Sequence, residues 1–250
     1  MSENIFHFKQ FSINQDKSAM KVGTDSVLLG AWTDIPYKGA ILDVGAGTGI
    51  LSLMLAQKCT LEINAVEIDS AASEQACENI RLSPWPAQIK VHNEDIRNFK
   101  PETGYSLIIS NPPFFADSLN SPDPARNNAR HNNSLTPEIL IDKAMEWLLP
   151  NGHICLILPE TTGNRIVTYA ISKSLYLARR CRVSPTPSKP CKRLLLDFCI
   201  EKSVTRESVL YLEDISGKRS EEYIRLTQDY YLNYTQDNSK LNQNTYIRSN

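Results

Sequence analysis

The tetrad Asn111-Pro112-Pro113-Phe114 directly follows the apolar run Tyr105-Ser106-Leu107-Ile108-Ile109-Ser110, so it emerges from the end of a buried strand. Those four residue types can hold a planar amine. The Asn111 amide oxygen and the carbonyl of a φ-locked proline can both accept hydrogen bonds from one NH2 group, while Phe114 offers an aromatic face to the attached ring. An amino group conjugated to a ring is a poor nucleophile because its lone pair is delocalised. Two acceptors gripping its hydrogens favour a pyramidal nitrogen and release that pair. The competing account is structural: a Pro-Pro pair simply ends a strand.

A second set of residues lies upstream. Asp43-Val44-Gly45-Ala46-Gly47-Thr48-Gly49 joins the apolar strand Ala40-Ile41-Leu42-Asp43-Val44 to a segment of helical spacing that begins at Ile50. Glycines in such a loop allow positive φ and close approach of a ligand, and the helix amides from Gly49 onward present a positive dipole end to an anionic group. The spacing is G-x-G-x-G, whereas the dinucleotide fingerprint requires G-x-G-x-x-G; with Ile at position 50, a nicotinamide site lacks its third glycine. An acidic residue at the end of the next strand can accept both ribose hydroxyls, and Glu67 in Ala65-Val66-Glu67-Ile68-Asp69 stands there. Asp69, followed by Ser70, reads more simply as a helix cap. Asp95 in Asn93-Glu94-Asp95 is placed either to reach an adenine amine or to close a solvated turn.

The elements that must position these residues follow from periodicity. Strands are expected at Ala40 to Val44, Leu61 to Glu67, Gln88 to His92, Tyr105 to Ser110 and His153 to Leu158. Helices are expected at Ile50 to Gln57, Ser70 to Leu82 and Pro137 to Leu149. This alternation implies a parallel sheet covered on both faces, with the ligand crevice at the carboxyl ends of the strands. After a helix from about Thr162 to Ser174 come Leu175 to Val183, a turn with Pro185, Pro187 and Pro190, and Leu194 to Ile200. So short a connection makes that pair antiparallel. Ser208 to Leu212 reads as a possible further strand and Glu221 to Leu232 as a closing helix.

Composition narrows the class. The chain has 250 residues, 41% hydrophobic and 22% charged, enough for one large α/β domain. Residues 1–236 are expected to form it, with a short extension at 1–38 and a disordered Asn/Ser/Gln-rich tail at 237–250. A net charge of -1 and a pI near 6.4 exclude a polycation that coats nucleic acid, so any such contact must be local. Neither a signal peptide nor a membrane-spanning run is legible, and the cytoplasm is the expected location. The 6 cysteines, Cys59, Cys77, Cys155, Cys181, Cys191 and Cys199, show no C-x-x-C spacing and the 4 histidines are scattered, so free thiols and no metal site are expected.

Taken in order, the glycine loop, Glu67, Asp95 and the Asn-Pro-Pro-Phe tetrad resemble the class I S-adenosylmethionine-dependent methyltransferases. The tetrad is typical there of enzymes that methylate exocyclic or amide nitrogen. Met20-Lys21-Val22-Gly23-Thr24-Asp25-Ser26-Val27-Leu28-Leu29-Gly30-Ala31-Trp32 and Glu221-Glu222-Tyr223-Ile224-Arg225-Leu226-Thr227 narrow the resemblance. Together they look like the bacterial adenine-N6 methyltransferases that act on a valine tRNA, at the adenosine just 3′ of the anticodon, position 37. The resemblance covers about residues 5 to 232. It implies an α/β, Rossmann-like domain with a mostly parallel seven-stranded sheet, an antiparallel C-terminal hairpin and helices on both faces. It implies S-adenosyl-L-methionine as cofactor, tRNA as partner, no membrane and no metal, and a monomer.

The same resemblance assigns roles. Asn111, Pro112, Pro113 and Phe114 become the catalytic tetrad, with Phe115 as packing. Asp43, Gly45, Ala46, Gly47, Gly49, Glu67, Ile68, Asp95, Ile96, Asn111, Thr24 and Lys21 become the cofactor site. Asp43 would orient the loop or the methionine amine. Thr24 and Asp25 either close the site or cap the helix that opens at Val27. Arg126, Arg130 and His131, in a polar stretch after Phe115 that is too long and Asn/Pro-rich for an ordinary connection and reads as an RNA-ordered lid, and Arg179, Arg180, Arg182, Lys189, Lys192 and Arg193, around the hairpin, whose positive charge is locally unbalanced in the sequence, are the expected RNA contacts. The alternative for each cluster is a solvated face. Guanine-N2 rRNA and protein-glutamine N5 methyltransferases share the loop and tetrad, but the former often carry two copies of the fold and the latter a helical N-terminal domain. A DNA adenine methyltransferase would add a target-recognition domain. A non-catalytic RNA-binding module need not keep both loop and tetrad.

Overall fold

Short apolar runs bounded by glycine, proline or polar turns build the central sheet of this protein. The structure, a computed structural model, describes residues 4–18, 20–113 and 135–232. In chain order the elements are β1 (Ile5–His7), β2 (Ser12–Asn14), α1 (Thr24–Trp32), β3 (Ala40–Val44), α2 (Ile50–Ala56), β4 (Ile63–Glu67), α3 (Ser70–Arg81), β5 (Ile89–Asn93), β6 (Tyr105–Ser110), α4 (Pro137–Trp147), β7 (Leu148–Pro159), α5 (Glu160–Ser172), β8 (Tyr176–Ser184), β9 (Arg193–Cys199), β10 (Arg206–Tyr211) and α6 (Glu221–Thr227).

The large sheet has the order β10-β8-β9-β7-β6-β3-β4-β5. Five consecutive strands, from β5 at one edge through β4, β3 and β6 to β7, run parallel and are joined by crossovers. Strand β9 is antiparallel to both neighbours, as the short Pro-rich turn requires. The expected seven strands become eight: β10 adds parallel to β8, from Arg206 opposite Arg179 to Tyr211 opposite Ser184. Four of its six residues are exposed in an unbroken run, so it lacks the alternation that marks a half-buried strand in sequence.

Successive residues of each inner strand face opposite layers. Ile41, Ile63, Leu107 and Ile109 pack with Leu28 and Leu29 of α1 and Leu53 and Met54 of α2. Leu42, Val66, Ile108 and Leu156 face Leu140 and Ile141 of α4 and Ile166 and Ala170 of α5. Helix α1 sits so close to α2 that a Cβ on Gly30 would meet the Met54 sulfur at 2.8 Å. That contact packs the C-terminal half of α1 against the C-terminal half of α2.

Two segments depart from the periodicity reading. The N-terminal extension carries the β1–β2 hairpin, and Phe8, Phe11 and Ile13 bury there. The closing helix stops at Thr227 instead of running to Leu232, because the backbone turns out to meet that hairpin. The Lys9 amide donates to the Tyr230 carbonyl at 2.8 Å, Phe8 bridges to Tyr231, and their rings lie 5.9 Å apart. Tertiary pairing overrides a helical pattern there. The expected tail, 237–250, lies outside the described residues. Among those described, no helix is long and apolar enough to cross a membrane.

Candidate functional site

The glycine loop leaves β3 and enters α2 through three left-handed residues, Gly45, Gly47 and Gly49, with φ of 70°, 56° and 82°. Side chains are strained in that region, which is why the loop reads as glycine at alternate positions. A Cβ on Gly47 would have nothing within 4 Å, so the loop's outer surface is open to a ligand. Gly49 serves a different purpose: it is the N-cap of α2, and its Cβ position lies 3.4 Å from Ala76 of α3.

Glu67, at the end of β4, stands beside the loop and holds it. Its carboxylate accepts from the Gly47 amide at 2.8 Å through one oxygen and from the Asp69 amide at 2.9 Å through the other. Asp69 is the expected cap of α3, accepting from the Ala72 amide at 2.8 Å. Asn79, fully buried on α3, donates to the carbonyls of Thr48 and Asn14 and so ties the loop to the N-terminal segment.

Asp43 lies beneath the loop with no solvent exposure. One carboxylate oxygen accepts from the Ser52 amide at 3.0 Å and the Ser52 hydroxyl at 2.7 Å, while the other has no hydrogen-bond partner. Burial pushes its carboxyl up to about 7, against the two Ser52 bonds and with a smaller upward push from the Glu67 charge.

A pocket opens at the carboxyl ends of β3, β4 and β5, where open α/β sheets place their ligands. Val44, Val66, Ile68, Ile96 and Ile139 give it apolar walls, with Asp95 and Arg97 at its rim. Ile68 is 57% exposed, an apolar surface that a stacked ring would cover. Asp95 accepts from the Arg97 Nε at 2.9 Å, and this partner lowers its carboxyl below the usual range. It also accepts from the Arg97 amide, so part of the turn reading holds alongside its place on the pocket.

Asn111 follows β6 on the same side of the sheet. The Ser110 hydroxyl donates to the Val44 carbonyl at 2.7 Å, pinning that strand end to the start of the glycine loop. The Asn111 Nδ2 donates to the Ser26 hydroxyl of α1 at 2.9 Å, while its buried Oδ1 has no partner among the described residues. Pro112 is buried and Pro113 half-buried. Phe114, Phe115, Arg126, Arg130 and His131 lie outside the described residues.

The start of α1 departs from expectation. Its N-cap is Gly23, with no side-chain cap, so neither Thr24 nor Asp25 closes the helix end. Asp25 instead pairs with Arg193 at the start of β9, 2.7 Å away. The Lys21 Nζ donates to the Gln15 carbonyl.

The hairpin arginines are paired with carboxylates, contrary to the sequence reading. Arg179 binds Asp197 at 2.7 Å and Asp34 at 2.9 Å and lies 4.1 Å from the Trp32 ring centre. Arg180 forks onto Glu207, Arg182 pairs with Glu160, and Arg193 with Asp25. The balancing acids come from the β9 and β10 strands, α1, α5 and the segment after α1, which no local charge count brings together. Lys189 and Lys192 remain exposed, with no carboxylate partner among the described residues.

Ser26, Ser52 and Arg97 are site residues that the sequence does not mark, since single hydroxyls and one arginine carry no spacing signal. Ser26 did lie inside the motif already quoted.

Sheet order, glycine loop and strand-end carboxylate together define a Rossmann-like methyltransferase. The family model described as Methyltransferase small domain matches residues 18–175. In fold the chain is similar to a predicted O-methyltransferase from Agrobacterium tumefaciens, with a TM-score of 0.63 at 20% identity over 82% of this chain and 96% of that one. The chain belongs to the tRNA1(Val) (adenine(37)-N6)-methyltransferase family. It is 44% identical over 235 residues to the Bacteroides fragilis member, covering 93% of this chain and 99% of that protein. It is likewise 44% identical over 234 residues to the Tolumonas auensis member, covering 93% and 98%.

Proposed function

We propose that this protein transfers a methyl group from S-adenosyl-L-methionine to the exocyclic N6 of adenosine 37 in a valine tRNA. The observation that carries this reading is Asn111, held beside the glycine loop with a buried acceptor oxygen that no described residue satisfies. A buried orphan acceptor costs about 1–3 kcal/mol, and sites that retain one commonly use it on a ligand.

The residues present fit the cofactor. The open face over Gly47 and the helix amides after Gly49 suit its methionine end, and the unpartnered Asp43 oxygen suits a cation. Glu67 keeps lone pairs for ribose hydroxyls beyond the two amides it accepts, and Ile68, Ile96 and Asp95 suit an adenine ring with a polar edge. When bound, the cofactor supplies an electrophilic methyl on a sulfonium. Asn111 Oδ1 and the Pro112 carbonyl grip the target amine, bend its hydrogens from the ring plane and point its lone pair at that methyl. Such alignment is worth up to about 7–11 kcal/mol. The target base must leave the anticodon-loop stack, at a few kcal/mol, which stacking on Phe114 partly offsets.

The test is transfer of labelled methyl to total tRNA from cells lacking this protein, with the modified nucleotide mapped. Label on N6 of adenosine 37 in a valine tRNA is expected. Label on a protein, or on guanine N2 of rRNA, would reject the reading.

Lys189 and Lys192 sit in the β8–β9 turn, on the carboxyl-end side of the sheet, where Pro159 pairs with Arg193. Lys189→Ala with Lys192→Ala is expected to weaken tRNA binding and flatten the salt dependence by roughly 1–2 log-log units. Arg180→Ala, whose charge Glu207 already neutralises, should leave that slope unchanged. Filter binding across a salt series decides; a slope that follows Arg180 and not the lysines returns the turn to a solvated face.

A further inference from the structure

We infer that Ser26 is a positioning residue that turns the Asn111 amide so that its oxygen, and not its nitrogen, faces the acceptor base. The inference rests on the proposed role of Asn111. An asparagine amide has a donor end and an acceptor end of nearly equal size, and only the acceptor end can hold the hydrogens of an NH2 group. Something must therefore choose the rotamer. In the orientation the fold adopts, the Ser26 hydroxyl holds the amide by accepting from Asn111 Nδ2 at 2.9 Å, a contact across 85 residues of sequence. With the nitrogen occupied, Oδ1 is the end left without a partner. A donor brought to that oxygen displaces no protein hydrogen bond.

Ser26 is itself held in place from two directions. It lies in the first turn of α1, one residue after Asp25, whose carboxylate is clamped by Arg193 Nε at 2.7 Å. Further along, Val27, Leu28 and Leu29 are buried in the core and Gly30 presses on Met54. The hydroxyl is thus carried by a helix packed at one end and ion-paired at the other, and it can impose an orientation on Asn111. On this account Asp25 and Ser26 do not cap α1 but set the geometry of the acceptor side.

Replacing the hydroxyl frees the amide to turn its nitrogen inward, which opposes two donor groups to one another. Ser26→Ala is therefore expected to lower kcat for methyl transfer by about 10–100-fold, with the KM for tRNA and the Kd for S-adenosylmethionine within about threefold. Ser26→Thr keeps the oxygen and is expected to restore kcat to within about threefold of wild type. In single-turnover reactions with excess enzyme, Ser26→Ala on the Asn111→Ala background should cause no further loss, because there is no amide left to orient. A wild-type kcat in Ser26→Ala, equal losses in both backgrounds, a parallel loss of cofactor affinity, or failure of Ser26→Thr to restore the rate would each overturn the inference. These are separable from failure of the underlying reading: if Asn111→Ala itself retains wild-type transfer, the tetrad assignment falls, whereas a strong Asn111→Ala defect with an unaffected Ser26→Ala removes the positioning role alone.

Discussion

Asn111→Ala is expected to reduce methyl transfer by on the order of 10^2–10^3-fold or more while changing the affinity for S-adenosylmethionine by no more than a few-fold. The split follows from where the amide sits. Its nitrogen is committed to Ser26, and its orphan oxygen is the group available to an incoming amine. The cofactor groups, by contrast, lie on the glycine loop, Glu67 and the pocket at the ends of β3 to β5. Stability should change little: the variant loses one partly buried hydrogen bond, worth about 1 kcal/mol, and sheds an unsatisfied buried acceptor whose removal offsets it. Calorimetric cofactor binding, a thermal melt and single-turnover transfer separate these terms. Equal loss of cofactor affinity and rate would move Asn111 from the acceptor side to the donor side.

Asp43→Asn has the second large effect, and it shows in pH dependence. The wild-type carboxyl is fully buried and pushed up to about 7 by desolvation, so near neutrality the unliganded protein holds it partly protonated. A cationic ligand near its free oxygen favours the ionised form. Cofactor affinity should therefore strengthen as pH rises, by up to about tenfold per pH unit below 7, and level off above it, with proton uptake by the buffer on binding. Asp43→Asn should abolish that slope and weaken binding at pH 8 by about 10–100-fold, the scale of a charge-assisted bond.

Stability of the unliganded protein should run the other way. Because the folded value lies above the ordinary 3.8, Asp43 favours folding most below that value and loses its contribution as pH rises through about 7. At pH 8 the unliganded Asp43→Asn variant is thus expected to be more stable than wild type, by on the order of a few kcal/mol. Denaturant titrations at pH 5 and pH 8 check the sign. An Asp43→Asn variant that keeps the wild-type pH slope for cofactor binding would locate the titrating group elsewhere.

Much of this was open to reading because the signals are local. Asp69 before Ser70 caps α3 as its type predicts, and the alternating glycines announce three left-handed residues in seven. The short Pro-rich connection forces β8 and β9 to pair antiparallel. The failures are equally instructive. Six cationic residues around the hairpin look unbalanced along the chain, yet four of them find carboxylates from distant elements, Arg193 with Asp25 across 168 residues. The possible strand at Ser208 to Leu212 forms as β10 from Arg206 to Tyr211, although an edge strand exposed over four residues carries little periodic signature. Helical spacing continues to Leu232, but the backbone there pairs with the N-terminal hairpin and the closing helix ends at Thr227.

Residue type and spacing therefore determined the chemistry available to this protein: a tetrad able to grip an amine, a loop able to lie against a charged ligand, and an acid placed for a ribose. These depend on backbone conformations and strand ends that a few neighbouring residues dictate. Only the tertiary structure decided which atoms were spent and which were left over. Ser26 takes the Asn111 nitrogen and leaves its oxygen, Ser52 takes one Asp43 oxygen and leaves the other, and carboxylates from distant elements take the hairpin arginines and leave two lysines. Hydrogen-bond satisfaction is settled between elements far apart in sequence, so the unsatisfied atoms, where a ligand has most to gain, become visible only once the chain has folded.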